Sequence, residues 1–165
     1  MAELEDGSLD VVFLVLRPGT EKKFAVEGLW KFEVSLVTSP RLAPRRRVSL
    51  KSLAQHPFLL YRQESYFEEQ IDQYFQRHGF VPNVAMRLDN AEPMKALVRS
   101  GFGISPIPHW AVRKEIESGE LVEIRLKESP PVSQLAMIRR RTRHVPAPAA
   151  AFIQLAEEWM ELAQL

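Results

Sequence analysis

The chain has 165 residues, of which 45% are hydrophobic and 26% are charged, as is typical of a soluble globular protein. A net charge of +1 gives no overall field that would attract nucleic acid, an acidic membrane surface or an acidic substrate. The sequence contains no cysteine, which excludes disulfides, thiolate nucleophiles and thiolate metal ligands. It contains neither a transmembrane-length apolar run nor a signal-peptide pattern, so a cytoplasmic protein is expected.

Three strands are predicted at the start of the chain. Leu9 to Leu16 is a nearly unbroken apolar run closed by Arg17-Pro18-Gly19, which predicts a central strand buried on both faces. Lys23 to Trp30 and Phe32 to Ser39 predict two further strands. The basic, proline-punctuated stretch that follows predicts a connector with a helical turn from Ser49 to Ala54, and it is the expected crossing between two lobes.

A strand, a helix and a second strand are predicted next. Phe58 to Tyr61 is a short buried run, and Val84 to Leu88 is the later strand. Between them, the segment Ser65 to Glu68 fits a capping box, in which a serine and a glutamate satisfy backbone N–H groups at a helix start. The helix is expected to stop at Gly79 and to bury one apolar face: Phe67, Ile71, Tyr74 and Phe75.

The stretch LDNAEPMKALVRSGFGISPIP predicts a strand end, a capped helix, a glycine stop and a buried strand. Asn90 is the expected N-cap, Gly101 ends the helix, and Phe102 to Ile107 is the strand. In open α/β sheets, small molecules bind beyond the carboxyl ends of parallel strands, where helix N-termini present free N–H groups. We therefore expect a ligand near Asn90 and Ser105.

The rest of the chain predicts a helix from Pro108 to Ser118, strands from Leu121 to Leu126 and from Val132 to Arg139, and a long C-terminal helix. Strands and helices alternate through the middle of the sequence, which favours parallel βαβ units. The C-terminal helix has an apolar face at helical spacing: Phe152, Leu155, Ala156, Trp159, Leu162 and Ala163.

The sequence carries no complete catalytic, cofactor or metal motif. Ser105, His109 and Asp89 are the residue types of a hydrolase triad, but GFGISP lacks the G-x-S-x-G elbow, so no enzyme is predicted. The glycines of Gly101 to Gly103 follow a helix and precede a strand, the reverse of a dinucleotide loop. The histidines are scattered without metal-ligand spacing: His56, His78, His109 and His144. Neither a metal nor a cofactor is therefore predicted.

Two basic runs, Arg45 to Arg47 and Arg139 to Arg141, carry the residue type that contacts phosphates. No aromatic residues are interleaved with them, and 21 acidic residues nearly balance the charge of the chain. Solvated loop or edge-strand charge is therefore the preferred interpretation, and phosphate contact is the alternative.

Two arginines follow predicted strands and are candidates for binding an anion. Arg62 precedes the Ser65 helix, so that its guanidinium and the helix N–H groups would converge on a carboxylate; an ion pair with Glu64 or another neighbour is the alternative. Arg17 has a comparable place after the first strand, where a turn charge beside Pro18 is the alternative. The candidate ligand-binding residues are Arg17, Arg62, Gln63, Ser65, Asn90 and Ser105.

The order of segments along nearly the whole chain resembles the effector-binding domain of LysR-type transcriptional regulators. The segments are DGSLDVVFLV, VSLVTSPRLAPRRRVSLKSLAQHPFLLY, FVPNVAMRLDNAEPMKALVRSGFGISPIPHWAV, SGELVEIRL and IRRRTRHVPAPAAAFIQLAEEW. The run LVRSGFGISPIP, followed by the SGELV turn and the basic RRRTRHVPAPAAAF return, is the most specific part.

The resemblance implies an α/β fold like that of type 2 periplasmic binding proteins, with two Rossmann-like lobes joined by crossing strands around a small effector. It places residues 1–56 and 127–165 in the first lobe (regulatory subdomain I) and residues 57–126 in the second lobe (regulatory subdomain II). Family members begin the first lobe with a strand, a helix and a strand that have no counterpart here, so an incomplete first lobe is expected. The helix from Ser65 to His78 matches one that packs against a partner subunit in the family.

The resemblance further implies a non-enzymatic sensor that binds a small, anionic effector and modulates DNA binding and transcription by the full-length protein. DNA would be bound only through a helix-turn-helix domain outside this chain. Self-association is expected, because Leu9 to Leu16 would carry an unpaired edge and an uncovered apolar face. A solute-binding protein of a transporter and a small enzyme on the same fold are the alternatives.

Overall fold

The computed structural model describes residues 1–62, 65–142 and 145–162. The strands of this part of the chain are β1 (Val11–Val15), β2 (Phe24–Thr38), β3 (Pro57–Tyr61), β4 (Asn83–Leu88), β5 (Ser105–Pro108), β6 (Val122–Glu123) and β7 (Val132–Arg140). The α-helices are α1 (Ala2–Asp6), α2 (Thr20–Lys23), α3 (Tyr66–Arg77), α4 (Ala91–Arg99), α5 (His109–Glu117) and α6 (Ala147–Leu162), and a 3₁₀ turn spans Leu50–Leu53.

The chain divides into two compact units. Unit 1 contains Met1–Phe32 and Ser133–Leu165, and unit 2 contains Glu33–Val132. Strand β2 begins in unit 1 and ends in unit 2. The lobe boundaries that the family resemblance implies stay a prediction.

The sheet of unit 1 has the order β1-β7-β2, in which β1 pairs antiparallel with β7 from Val11↔Arg139 to Val15↔Leu135. One face carries a small core of Leu4, Phe24, Ala136 and Ile138, against which alternate residues of β1 pack. Strand β1 is therefore an edge strand of intermediate burial, and the prediction of a doubly buried central strand is wrong. The apolar run suggested burial on both faces because both faces of β1 carry apolar side chains, although the strand lies at the edge of the sheet.

The opposite face of the unit 1 sheet carries aromatic residues. The ring of Phe13 stacks on Trp30 at 6.2 Å between centroids and meets Phe152 of α6 edge-on at the same distance. Phe13 remains 39% exposed and Phe152 remains 50% exposed. This face is therefore only partly covered by α6.

The predicted apolar face of α6 differs from the face that the structure buries. Ala149, Ile153 and Met160 are buried, whereas the predicted face is largely exposed, and Ala163 lies outside the described residues. Helix α6 is apolar on more than one side, so periodicity alone could not select the buried side. We call the exposed set the α6 stripe: Phe152, Leu155, Trp159 and Leu162.

In unit 2, β3 and β4 form a parallel pair, and β5 joins β3 through a parallel bridge between Phe58 and Ile104. The second half of β2 pairs antiparallel with β5 and β6. The parallel βαβ arrangement predicted for the middle of the chain is thus found around β3 and β4. The core between the sheet and helices α4 and α5 consists of Val37, Leu59, Met94, Val98, Ile107, Val112 and Leu121.

Four predicted strands have different limits in the structure. The two strands expected between Lys23 and Ser39 are one continuous strand, β2, because no turn-forming residue separates them. The strand expected from Phe102 begins only at Ser105, and Phe102 is 42% exposed. The strand expected from Leu121 to Leu126 is reduced to the two residues of β6.

Candidate functional site

Helices α3 and α4 follow the adjacent parallel strands β3 and β4, and both have capped N-termini. Ser65 begins α3 with the predicted capping box, in which the Ser65 N–H donates to Glu68 Oε2 at 3.1 Å. Asn90 begins α4 by accepting a hydrogen bond from the Glu92 N–H on Oδ1 at 3.0 Å. Both predicted caps are confirmed, so two helix N-termini follow the carboxyl ends of neighbouring strands.

Arg62 connects the two strand ends. Its backbone N–H donates to Leu88 O at 3.0 Å, and its Nε lies 2.9 Å from Asp89 Oδ1. Both side chains of this ion pair are more than half exposed, at 58% for Arg62 and 69% for Asp89. The guanidinium carries four N–H donors besides Nε, which is sufficient for a bidentate contact with a carboxylate.

The remaining predicted ligand-binding residues lie elsewhere. Ser105 is fully buried and its hydroxyl donates to Leu59 O at 2.9 Å, so it is used within the sheet. Arg17 belongs to unit 1, where its carbonyl accepts a hydrogen bond from the Thr20 N–H in the turn after β1. Gln63 lies outside the described residues. The structure thus brings together Arg62 and Asn90 near the start of α3.

Sequence reasoning missed two features of this region. Ser35 and His109 Nδ1 are hydrogen-bonded at 2.9 Å, and the antiparallel pairing of β2 with β5 brings them together. A groove of about 620 Å³ extends from Asn90 along α4 and α5, and Lys95, Trp110 and Glu115 help to line it. This volume lies within the range of small-molecule sites.

Two ionisable groups lie beside the site: the phenol of Tyr61, which is neutral, and the ammonium group of Lys95, which is paired with carboxylates. Burial raises the pKa of Tyr61, and the charges of Glu68 and Glu92 raise it further, so the phenol stays protonated. Lys95 Nζ lies 2.7 Å from both Glu92 Oε1 and Glu115 Oε1 and donates to Ala111 O at 3.1 Å. These contacts fix α4 against α5 where the groove runs.

We expect Glu115→Gln to destabilise the protein by about 1–2 kcal/mol at pH 7, because Lys95 would lose its least exposed partner. Burial is the largest single influence and raises the pKa of Glu115, but the hydrogen bonds from Lys95 and the backbone, together with the charges of Lys95 and Arg99, outweigh it, so the pKa lies below the usual 4.5. A carboxylate with a lowered folded pKa stabilises the fold above its unfolded pKa and loses that contribution as the pH falls through the folded pKa. The difference between variant and wild type should therefore shrink below pH 4.5.

Urea unfolding at neutral and acidic pH measures this difference. Glu117→Gln is the matched control, because Glu117 is an exposed residue of the same helix, and it should change the stability by less than about 0.5 kcal/mol. A loss for Glu115→Gln that stays constant down to pH 3 would contradict the assignment of the effect to the ionised pair.

Parallel strands that end at capped helix N-termini are the arrangement found in α/β domains that bind small molecules. The family model of the LysR substrate binding domain matches residues 1–161, and the chain belongs to this family. The fold is that of type 2 periplasmic binding proteins, which confirms the predicted fold class.

Three relatives illustrate the similarity. The RuBisCO operon transcriptional regulator of Allochromatium vinosum is 26% identical over 151 residues, which cover 90% of this chain and 50% of that protein. The regulatory domain of a HypT M206Q mutant from Salmonella typhimurium is 24% identical, with a TM-score of 0.75 over 99% of this chain and 77% of the other. The CcmR regulatory domain of Synechocystis PCC6803, in complex with 2-PG, is 15% identical, with a TM-score of 0.76 over 93% and 74% of the two chains.

The chain spans about half the length of the curated relatives that it matches. The curated relatives are transcriptional regulators, which supports the effector-binding domain of a regulator over the solute-binding protein of a transporter. Among the described residues, no helix combines the length and the apolar character required to cross a membrane. The same residues contain no group of three or more His, Asp or Glu side chains placed to hold a metal ion.

Proposed function

We propose that this chain is the effector-sensing domain of a bacterial LysR-type transcriptional regulator and binds a small anionic molecule. In the whole protein, effector binding would alter DNA contacts made by a helix-turn-helix domain, and such a protein acts in the cytoplasm, where the DNA is. The proposed role is binding rather than catalysis. It draws on the family membership and on relatives that are transcriptional regulators.

The observation that carries the proposed ligand class is the position of Arg62 between two helix starts. Its guanidinium bridges from the end of β3 to Asp89 at the end of β4, beside the capped N-termini of α3 and α4. Helix N-termini and an arginine each favour negative charge. A carboxylate ligand would compete with Asp89 for the guanidinium. Together, the guanidinium and the helix N-termini would then hold the ligand.

The proposed output is a change of conformation. A ligand shifts an equilibrium only by the difference between its affinities for two states. We propose that the effector biases the angle between the two lobes or the packing between subunits. The free energy by which effector binding changes DNA binding then cannot exceed the difference between the free energies of effector binding to the two states.

We expect Arg62→Ala to weaken the binding of small carboxylates at least tenfold, because a charge-assisted hydrogen bond is worth about 1.5–3 kcal/mol. Thermal-shift titrations with a panel of small carboxylates measure the affinity, since a ligand that binds only the folded state raises the melting temperature with its concentration.

Arg99→Ala is the matched control for this experiment. Arg99 is also an exposed arginine of unit 2, 56% accessible, and its Nη1 pairs with Glu120 at 2.6 Å, but it does not border the strand ends. The control should retain the wild-type shifts. Equal shifts in the Arg62 variant and the wild type, or the absence of any shift in the wild type, would remove Arg62 from the proposal.

The proposal includes self-association through unit 1. Strand β1 ends the sheet order, and its second edge pairs with no strand of the described residues. The α6 stripe adjoins this edge through the contact between Phe13 and Phe152. An edge strand and an apolar stripe both match a second copy of themselves across a two-fold axis, so the proposed partner is a second copy of the chain.

A further inference from the structure

A second cavity lies in unit 2, formed by the second half of β2, the segment 123–131 and Arg47. Its volume is about 340 Å³, at the lower end of the range for small-molecule sites. It shares no lining residue with the groove beside Asn90. The cavity is therefore a separate feature from the proposed effector site.

The backbone brings three basic residues to this cavity. The Val48 N–H donates to Arg125 O at 2.9 Å, and the Lys127 N–H donates to Val48 O at 2.9 Å, around a parallel bridge from Val48 to Leu126. Side chains alternate along an extended segment, so Arg125 and Lys127 project to the same side. Arg47 precedes Val48 and completes the basic group.

The cavity lining carries three basic and three acidic side chains, so its net charge is close to zero. None of the salt bridges among the described residues involves Arg47, Arg125 or Lys127. Glu128 also lines the cavity, but both of its carboxylate oxygens accept from the Leu50 N–H, each at 3.1 Å. Three basic side chains thus surround a space in which one of the nearby carboxylates already has a partner.

Three buried residues of the cavity lining are tied into the sheet. Val34, Leu36 and Ile124 are at most 4% exposed. The Ile124 N–H donates to Leu36 O at 2.8 Å, and the Val34 N–H donates to Pro131 O at 2.9 Å. These bonds hold the walls in place, so a ligand would meet a preformed surface.

Glu33 and Glu123 also line the cavity and are exposed. Their carboxylates accept hydrogen bonds and repel a ligand that offers only negative charge. A ligand that carries an acid group together with a hydroxyl or amino donor satisfies both kinds of side chain. The lining therefore selects for hydroxy acids and amino acids.

We propose that this cavity is a second ligand site, in which Arg47, Arg125 and Lys127 hold the acid group of a small hydroxy acid or amino acid. This site differs from the one at Arg62, so that one chain has two places for small acids. One of the basic runs of the sequence, Arg45 to Arg47, thereby acquires a specific role for its last residue.

Citrate and L-glutamate are suitable probes, titrated separately into ¹⁵N-labelled protein at constant ionic strength. We expect saturable shifts of the backbone amide resonances of Val48 and of residues 125–128 for at least one probe. The double variant Arg125→Gln/Lys127→Gln should raise the Kd of that probe at least tenfold. Arg62→Ala should leave these shifts unchanged, which separates this site from the proposed effector site.

The matched control is Arg45→Gln/Arg46→Gln, which removes the same charge from the same region without touching a lining residue. It should preserve the wild-type Kd, and peak dispersion reports whether each variant is folded. Should the double variant fail to fold, Arg47→Gln takes its place with the same expected direction. Equal Kd values in the two double variants, shifts confined to residues 89–92, or no saturable shift with either probe would overturn the proposal.

Discussion

Leu155→Glu is expected to abolish the proposed self-association and leave a monomer over the micromolar range. Leu155 is 65% exposed at the centre of the α6 stripe, so the substitution leaves the core of unit 1 intact. In the associated form the new carboxylate would be buried without a partner, at a cost of about 3 kcal/mol, which corresponds to a dissociation constant more than a hundredfold higher. Sedimentation velocity over a wide concentration range measures this change.

Val81→Glu is the control for the effect of a charge on an exposed apolar position. Val81 is 84% exposed, lies in unit 2 and is remote in sequence from the α6 stripe. It should associate like the wild type, and both variants should keep the wild-type circular dichroism spectrum. A wild-type protein that sediments as a monomer at every concentration would refute self-association altogether.

Gly103→Ala is expected to destabilise the protein by about 3 kcal/mol, because the added methyl group has no room. A Cβ atom at this position would overlap the carbonyl oxygen of Pro57 and lie 3.0 Å from its carbonyl carbon. The same carbonyl accepts a 2.9 Å hydrogen bond from the Ile104 N–H. The substitution would therefore push the chain leading into β5 away from β3, at the centre of the unit 2 sheet.

Gly119→Ala separates this steric effect from the conformational freedom of glycine. Gly119 has a φ of +76° but no atom within 4 Å of an added Cβ, so its substitution should cost only about 1 kcal/mol. Urea titrations give both values, with unchanged slopes if the unfolding remains two-state. A loss for Gly103→Ala no larger than that for Gly119→Ala would mean that the sheet accommodates the methyl group.

The sequence predicted the local signals of unit 2 well. The capping box at Ser65 and the Asn90 cap are short-range motifs whose partners lie within three residues, so they can be read without knowing the fold. The stop at Gly101 is equally local, because a φ of +89° is a property of one residue. Gly103 has no such signal, since its role depends on the approach of a distant strand.

Features that depend on long-range packing could not be predicted from the sequence. The apolar run of β1 indicated a buried strand, but the order of strands made it an edge. The apolar residues of α6 gave no means to choose the buried side. At the candidate site, Arg62 and Asn90 lie at the predicted strand end and helix start. The Ser105 hydroxyl instead donates to Leu59 O of β3, and this contact could not be predicted because it depends on which strands pair.

The division of the chain has a consequence for its synthesis. Unit 2 is one continuous segment, Glu33–Val132, whereas unit 1 combines Met1–Phe32 with Ser133–Leu165. On the ribosome, unit 2 is complete before the strand that pairs with β1 has been made, because Val11 pairs with Arg139. More than a hundred residues are therefore synthesised between β1 and the strand that pairs with it, so this pairing is a long-range contact that forms late.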